Sequence, residues 1–267
     1  MIILIAESKT MTACDKPIDK DELSAHMPPG EEQADEIMSH ITELSMPELA
    51  AVAKFSGAMA VKALGLAYEF PNKTLGQKSI EAFTGVVFRS FDYPSLDEND
   101  CRHADQHIRL ISSLYGWLRP DDIVKAYRLD YNTPLATEDK PMWSFWKKDV
   151  TISLVKEIKS RNGESVLNLL PGDAAKMIDW KLTKNFTKVW KVDFKELCEG
   201  GEWKTPTSNR LKELRGHLLR EIIIRRLHTP DELLTLETDI AAECPAAYHS
   251  APGPGLFLYQ SFVIAPL

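Results

Sequence analysis

The residues best able to do chemistry in this sequence are cationic and hydroxylic. Ser8, Lys9 and Thr10 follow an apolar run, Met1 to Ile5, so a point charge and two hydroxyls stand at a strand end. Glycines that would let backbone amides cradle phosphate are missing, which rules out a Walker loop. Lys9 reads either as an anion contact or as a surface lysine leaving a sheet. Arg119, Arg128, Lys176, Arg215 and Arg220 supply further groups that grip phosphate, and Tyr115, Trp117 and Tyr127 offer rings on which bases can stack. The competing reading pairs these arginines with the chain's many carboxylates and puts the rings in a core.

Cys101, His103 and His107 place two imidazoles one helical turn apart, a spacing a metal ion can use. No acidic zincin partner follows His103 and no distant ligand can be named, so no metal centre is expected. Neither a G-x-S-x-G elbow nor a C-G-x-C-W context marks a nucleophile. Cys14, Cys101, Cys198 and Cys244 are widely separated, which points to reduced thiols and to a cytoplasmic protein without a bound cofactor.

These groups sit on 267 residues that are 44% hydrophobic and 27% charged, a globular composition that excludes a disordered tail or a disulfide-stapled miniprotein. Glu7 and Lys9 interrupt the first apolar run too early for a signal peptide, and no apolar stretch approaches the roughly 20 residues of a membrane span, so a soluble protein is expected. The net charge of −7 conceals an asymmetry. Residues 140 to 230 carry 19 Lys and Arg against 11 Asp and Glu, whereas residues 1 to 139 carry 13 against 23, and residues 231 to 267 carry none against 5. A basic middle third permits an anion-binding face, and a solvated helix face explains it as well.

The elements that must position these groups follow from periodicity. Met1 to Ala6 reads as a buried strand, and residues 11 to 30, with three prolines, as loop. Helical spacing predicts Glu31 to Leu44, then a capping box at Ser45-Met46-Pro47-Glu48 opening a helix to about Lys54, a break at Phe55-Ser56-Gly57, and a helix from Ala58 to Leu66. Ser45 to Phe70 is thus either a helix-hairpin-helix unit able to touch a phosphate backbone or an ordinary αα-corner. A second capping box, Ser95 to Glu98, predicts a helix to Arg109. Leu110 to Leu114 reads as a strand, Tyr115 to Pro120 as turn-rich, and Trp143 to Ser160 as a helix burying Phe145, Trp146, Val150, Leu154 and Ile158. Val166 to Leu170, Phe186 to Phe194 and Leu256 to Ile264 read as strands, and Ser208 to Leu227 as a helix. Interleaved helices and strands without a linker or repeat favour a single α+β domain, residues 1 to 267, with a central mixed sheet flanked by helices.

The chain resembles the YaaA family of bacterial peroxide-stress proteins, also known as the UPF0246 family. Ile5-Ala6-Glu7-Ser8-Lys9-Thr10 is similar to the family's I-S-P-A-K-T, Ala82 to Phe88 to A-F-x-G-D-V-Y, and Leu110 to Asp130 to L-S-G-L-Y-G-x-L-R-P-x-D-x-x-x-P-Y-R-L-E. Phe145-Trp146, Asn168-Leu169, Lys176, and Leu214-Arg215-Gly216 with Arg220 continue the match. Glu7 stands where the pattern has a small residue, Val86 where it has an acidic one, and Pro171-Gly172-Asp173 in place of an A-S-x-E-Y stretch. The resemblance implies a cytoplasmic protein of the response to hydrogen peroxide that limits free iron and DNA damage, and that binds DNA through a helix-hairpin-helix element and a basic cleft.

Two expectations result. In the first, Lys9, Arg119, Arg128, Lys176, Lys212, Arg215 and Arg220 line a cleft that holds DNA by its phosphates, with Lys54 and Lys62 near the hairpin. In the second, Ser8, Thr10, Tyr115 and Asn168 join Lys9 and Lys176 around a small anionic substrate, for instance a nucleotide, on which an unidentified reaction is performed.

Overall fold

The computed structural model describes residues 1–12, 21, 25–72, 75–134, 140–197, 202–236, 256–258 and 262–266. The main sheet is built from β1 (Ile2–Ala6), β3 (Ile108–Ser112), β4 (Gly116–Leu118), β6 (Val166–Asn168), β7 (Val189–Phe194), β10 (Leu256–Leu258) and β11 (Phe262–Pro266), in the order β10-β11-β7-β6-β1-β3-β4. β1 is parallel to β3 on one side, with Ile3 opposite Ile108, and to β6 on the other, with Ile2 opposite Val166. β7 continues the parallel set beside β6, while β4 and β11 run antiparallel to β3 and β7. Two small ribbons pair β2 (Gln77–Lys78) with β5 (Ile123–Val124), and β8 (Glu196–Leu197) with β9 (Trp203–Lys204).

The sheet is therefore mixed, as expected, but its parallel set β3-β1-β6-β7 with intervening helices makes the chain α/β and not the expected α+β. Strands covered on both faces read as continuous apolar runs, and Ile2, Ile3, Leu4, Ile108, Leu110, Ile111, Val166 and Leu167 are fully enclosed. From β1 the chain builds outward through β3 and β4, then returns to the far side of β1 with β6 and β7. β1 is thus the point at which the winding reverses, where open parallel sheets leave a crevice beyond the carboxyl ends of the strands.

The helices are α1 (Glu31–Glu43), α2 (Met46–Ala53), α3 (Gly57–Glu69), α4 (Ser79–Ala82), α5 (Val86–Phe91), α6 (Glu98–His107), α7 (Met142–Ser160), α8 (Gly172–Ala175), α9 (Trp180–Thr183) and α10 (Ser208–Ile224). α1, α7 and α10 fall close to their expected bounds because their apolar stripes are long. The Ser45 capping box is formed: the Ser45 N–H donates to Glu48 Oε2 at 2.8 Å, and Ser45 Oγ accepts from the Glu48 N–H. The Ser45 hydroxyl, which donates to Glu48 Oε2 at 2.6 Å, and then the Ser45 N–H hold the Glu48 carboxyl below its ordinary range.

α2 and α3 meet at 109°, and no single helix among the described residues is long and apolar enough to cross a membrane. The connection is closed by Lys54 in the left-handed region (φ 54°) and by Ser56, whose hydroxyl caps α3. Gly57 lies inside the first turn of α3 instead of shaping the break. The arrangement is an αα-corner, and no glycine hairpin is formed there.

Other expectations need correction. The cap of α6 is Asp97, which accepts from the Asp100 N–H at 2.8 Å, and Ser95 belongs to a short 3-10 turn after left-handed Asp92. α6 ends at His107, so β3 begins two residues earlier than its pattern indicated. The turn-rich Tyr115 to Pro120 contains β4, because Gly116 at φ 72° reverses the chain tightly enough for Trp117 to pair with Ile111. Leu256 to Ile264 is split into two antiparallel strands. Cys14, Cys198 and Cys244 lie outside the described residues, and Cys101 is a free thiol.

Candidate functional site

Glu7 stands just beyond the carboxyl end of β1, beside the end of β3. Its backbone N–H prolongs the β1–β3 ladder by donating to the Ile111 carbonyl at 3.0 Å, which aims the side chain across the end of β3. There Glu7 Oε2 accepts from the Ser113 N–H at 2.8 Å and from the Tyr127 hydroxyl. Tyr127 also meets Ser112 Oγ at 2.7 Å, and the Tyr131 hydroxyl donates to the Ile111 carbonyl at 2.7 Å. The residue keeps a narrow exposed face while its carboxyl group is enclosed.

Burial pushes the Glu7 carboxyl up to about 7, against the opposing pull of hydrogen bonds from Ser113, Tyr127 and Ser112. Burial raises Tyr127 and Tyr131 well above the ordinary phenol range, with the Glu7 charge adding to it, so both remain hydrogen-bond donors at neutral pH. An acid that is half ionised near pH 7 can give or take a proton from a bound molecule.

Around Glu7 runs a charged rim. Ser8 Oγ lies 3.0 Å from Thr10 Oγ1 and accepts from the Thr10 N–H. Gly85 packs so closely on Ser8 that a Cβ there would collide with its hydroxyl. Lys9 pairs with Asp130 at 2.7 Å, and Arg128 reaches the same carboxylate at 3.1 Å while lying 4.8 Å from the centre of the Phe55 ring. Phe55 is part of the α2–α3 corner, so Arg128 ties the corner to this rim. Lys176 pairs with Asp173 at 2.8 Å just beyond β6, where hydrogen bonds from Lys176 and Asn132 hold the Asp173 carboxyl down. Asn168 Oδ1 accepts from the Leu170 N–H at 3.0 Å, which shapes the turn leaving β6.

Arg215 on α10 is partly buried, which depresses its pKa, and Asp193 near the end of β7 is the charge acting against that. Among the described residues no carboxylate pairs with Arg215, Lys54, Lys62 or Lys212, the last three of which are exposed.

Three expected members go elsewhere. Arg119 follows antiparallel β4 and therefore lies at the amino edge of the parallel strands, in an open cavity of ≈ 580 Å³ with Arg109, Asp122, Lys156 and Arg161. Asp122, which accepts from the Arg119 N–H at 2.8 Å, is pushed up to about 7 by burial. Arg220 donates to the Phe91 and Asp92 carbonyls at 2.9 and 3.0 Å and closes the end of α5. Tyr115 is 1% exposed and packs on Phe70 and Tyr127, its hydroxyl accepting from the Lys125 N–H. Trp117 and Tyr127 are buried too, so none of the three rings offers a free face for a base.

Glu7 and Ser113 are members of this candidate site that sequence reasoning did not single out, and Tyr127, expected to stack on a base, instead donates to Glu7. Glu7 carries a signal, as a carboxylate directly after a buried strand, but its partners come from more than a hundred residues away. His103 and His107 do stand together, with ring centres 4.3 Å apart, and the structure adds a third imidazole, His228.

A family profile described as "Peroxide stress protein YaaA" matches residues 1–240. A UPF0246 protein of Parabacteroides distasonis is 29% identical over 236 residues, covering 87% of this chain and 90% of its own length. One of Bacteroides thetaiotaomicron is 28% identical over 235 residues, covering 87% and 89%, and one of Crocosphaera subtropica is 38% identical over 130 residues, covering 48% and 51%.

Proposed function

Because the chain belongs to the YaaA family of peroxide stress proteins, we propose that it acts in the response to peroxide by holding DNA, independently of sequence, along the carboxyl edge of its sheet and the adjoining α2–α3 corner. One observation carries the reading: Arg215, Lys54, Lys62 and Lys212 have no carboxylate partner among the described residues, and Lys9 and Lys176 are exposed lysines whose partners, half-buried Asp130 and exposed Asp173, phosphate can replace. Lys9 is 66% exposed, and exposed ion pairs are worth about 0–1 kcal/mol, so exchanging Asp130 for a phosphate costs little. Arg128, 11% exposed and stacked on Phe55, instead anchors the corner. DNA bound in this way would be shielded from iron-dependent oxidation.

The test is fluorescence anisotropy of a labelled duplex over a range of salt. Affinity should fall steeply with ionic strength, by a slope of about 0.9 for each phosphate neutralised. Lys9→Ala, Lys176→Ala and Arg215→Gln should each flatten that slope by about one while leaving sequence preference unchanged. No binding at low salt, or slopes unaffected in all three variants, would overturn the proposal.

The Glu7 carboxyl favours a second reading, acid–base chemistry on a small anion held by Lys9 and Lys176. Calorimetry with nucleoside monophosphates separates the two. Under this reading Glu7→Gln changes nucleotide binding and its pH dependence, whereas under the first it leaves DNA affinity and nucleotide binding alike unchanged.

A further inference from the structure

We propose that His103, His107 and His228 form a site for one divalent transition-metal ion of the zinc or cobalt type, fastening the chain beyond α10 onto α6. The site lies where α6 hands over to β3, at the amino edge of the parallel strands and away from the Glu7 rim. His103 and His107 share one face of α6 by their i, i+4 spacing. After α10 the backbone turns through left-handed Arg226 (φ 53°), whose guanidinium meets Asp100 of α6 at 3.2 Å, and this turn brings His228 over the same face. The His228 ring centre is 5.1 Å from that of His103 and 5.5 Å from that of His107. Potential ligand atoms of all three lie within 4.8 Å of one another.

Two details point to a ligand. Among the described residues, His103 is 7% exposed and its Nε2 is buried without a hydrogen-bond partner, a state that is unfavourable unless something fills it. His107, 6% exposed, spends its Nδ1 on the Met1 carbonyl at 2.7 Å, which leaves Nε2 with a free lone pair. A backbone carbonyl behind the non-ligating nitrogen is the arrangement that orients metal-binding imidazoles.

The donor set decides the class of ion. Three imidazoles, with no oxygen donor in the group, suit zinc, cobalt, nickel, copper or ferrous iron and disfavour calcium and magnesium. Metal–nitrogen bonds of about 2.0–2.1 Å bring tetrahedral ligands closer together than 4.8 Å, so one ring must move inward by about an ångström. His228 is exposed and able to do so, while its backbone is fixed: its N–H donates to Glu232 at 2.7 Å and its carbonyl accepts from the Met1 amino group at 2.8 Å. Water completes the coordination. The cations facing the site each have a carboxylate of their own: the Met1 amino group has Glu164 at 3.2 Å, Arg226 has Asp100, and Arg161 has Glu157 and Glu164.

The experiment uses the full chain without a histidine tag, stripped with chelator, and titrates it with cobalt(II) followed by visible absorption and with zinc(II) followed by calorimetry and thermal melting. One ion per chain, tetrahedral cobalt bands and a Tm raised by several degrees are expected. Exposed His228→Ala should weaken binding at least tenfold and abolish the Tm rise, while His40→Ala, on α1, should change neither. His103→Gln risks the core, so the judgement rests on the His228 variant with its circular dichroism unchanged. The proposal fails if wild-type protein binds neither ion, if binding survives His228→Ala, or if His40→Ala weakens it equally.

Discussion

Replacing Glu7 by Gln should stabilise the protein at pH 8 and leave it nearly unchanged at pH 4.5. The carboxyl titrates near 7 in the folded chain and near 4.5 when unfolded. Between these values the folded state holds the proton more tightly, so raising the pH favours unfolding. Below about 4.5 both states are protonated and the cost vanishes. Above 7 both are ionised and the cost is complete, about 3 kcal/mol, since the two pKa values differ by more than two and each tenfold change in proton affinity is worth about 1.4 kcal/mol. Gln keeps the shape and one oxygen able to accept from the Ser113 N–H and the Tyr127 hydroxyl, and has nothing to titrate. Urea unfolding of both proteins from pH 4.5 to 8 measures the difference, in which titrations of Asp105, Asp122 and His103 cancel because they are common to both. A gap between variant and wild type that stays constant over this range would refute the enclosed, proton-holding carboxyl.

Gly216→Ala should lift α10 from α5, because a Cβ there would collide with the Val87 carbonyl and the Ser90 side chain; a loss of about 1–3 kcal/mol is expected in thermal or urea unfolding. Glu157→Leu should cost about 3–5 kcal/mol by stranding Arg109, which is 3% exposed and donates from Nε to Glu157 at 2.8 Å. Adding Arg109→Met should recover most of that loss in the same assay, since an apolar pair removes both buried charges.

The long elements were legible because each carries its own evidence. α7 and α10 have apolar stripes over several turns, β1 is an unbroken aliphatic run, and the Ser45 capping box is a local contract between two side chains. β4 was hidden by its brevity, since three residues that begin with a glycine and run into Arg119-Pro120 look like a turn until a partner strand is present. The same omission misplaced Arg119: once β4 runs antiparallel, the guanidinium must leave at the opposite edge from Lys9. At the site, the rim was readable as hydroxyls and cations near strand ends, but which cations would have partners was not. Lys9 meets Asp130 and Lys176 meets Asp173, whereas Arg215 is left with a distant Asp193, and only folding distinguishes them. Positions 7 and 86, both departures from the family pattern, lie at one edge, since Gly85 abuts Ser8. The chain thus has an acidic residue at 7 where the pattern has one at 86.

The central place of β1 has a consequence for biosynthesis. Its five aliphatic-rich residues leave the ribosome before their neighbours, β3 and β6, which lie about a hundred and about a hundred and sixty positions downstream. At translation rates of roughly 5–20 residues per second, the segment waits some seconds to half a minute with no strand to pair with. A nascent chain of this topology folds late and through distant contacts, and during that interval Ile2 to Ile5 is an adhesive sequence that a holding chaperone would serve to cover.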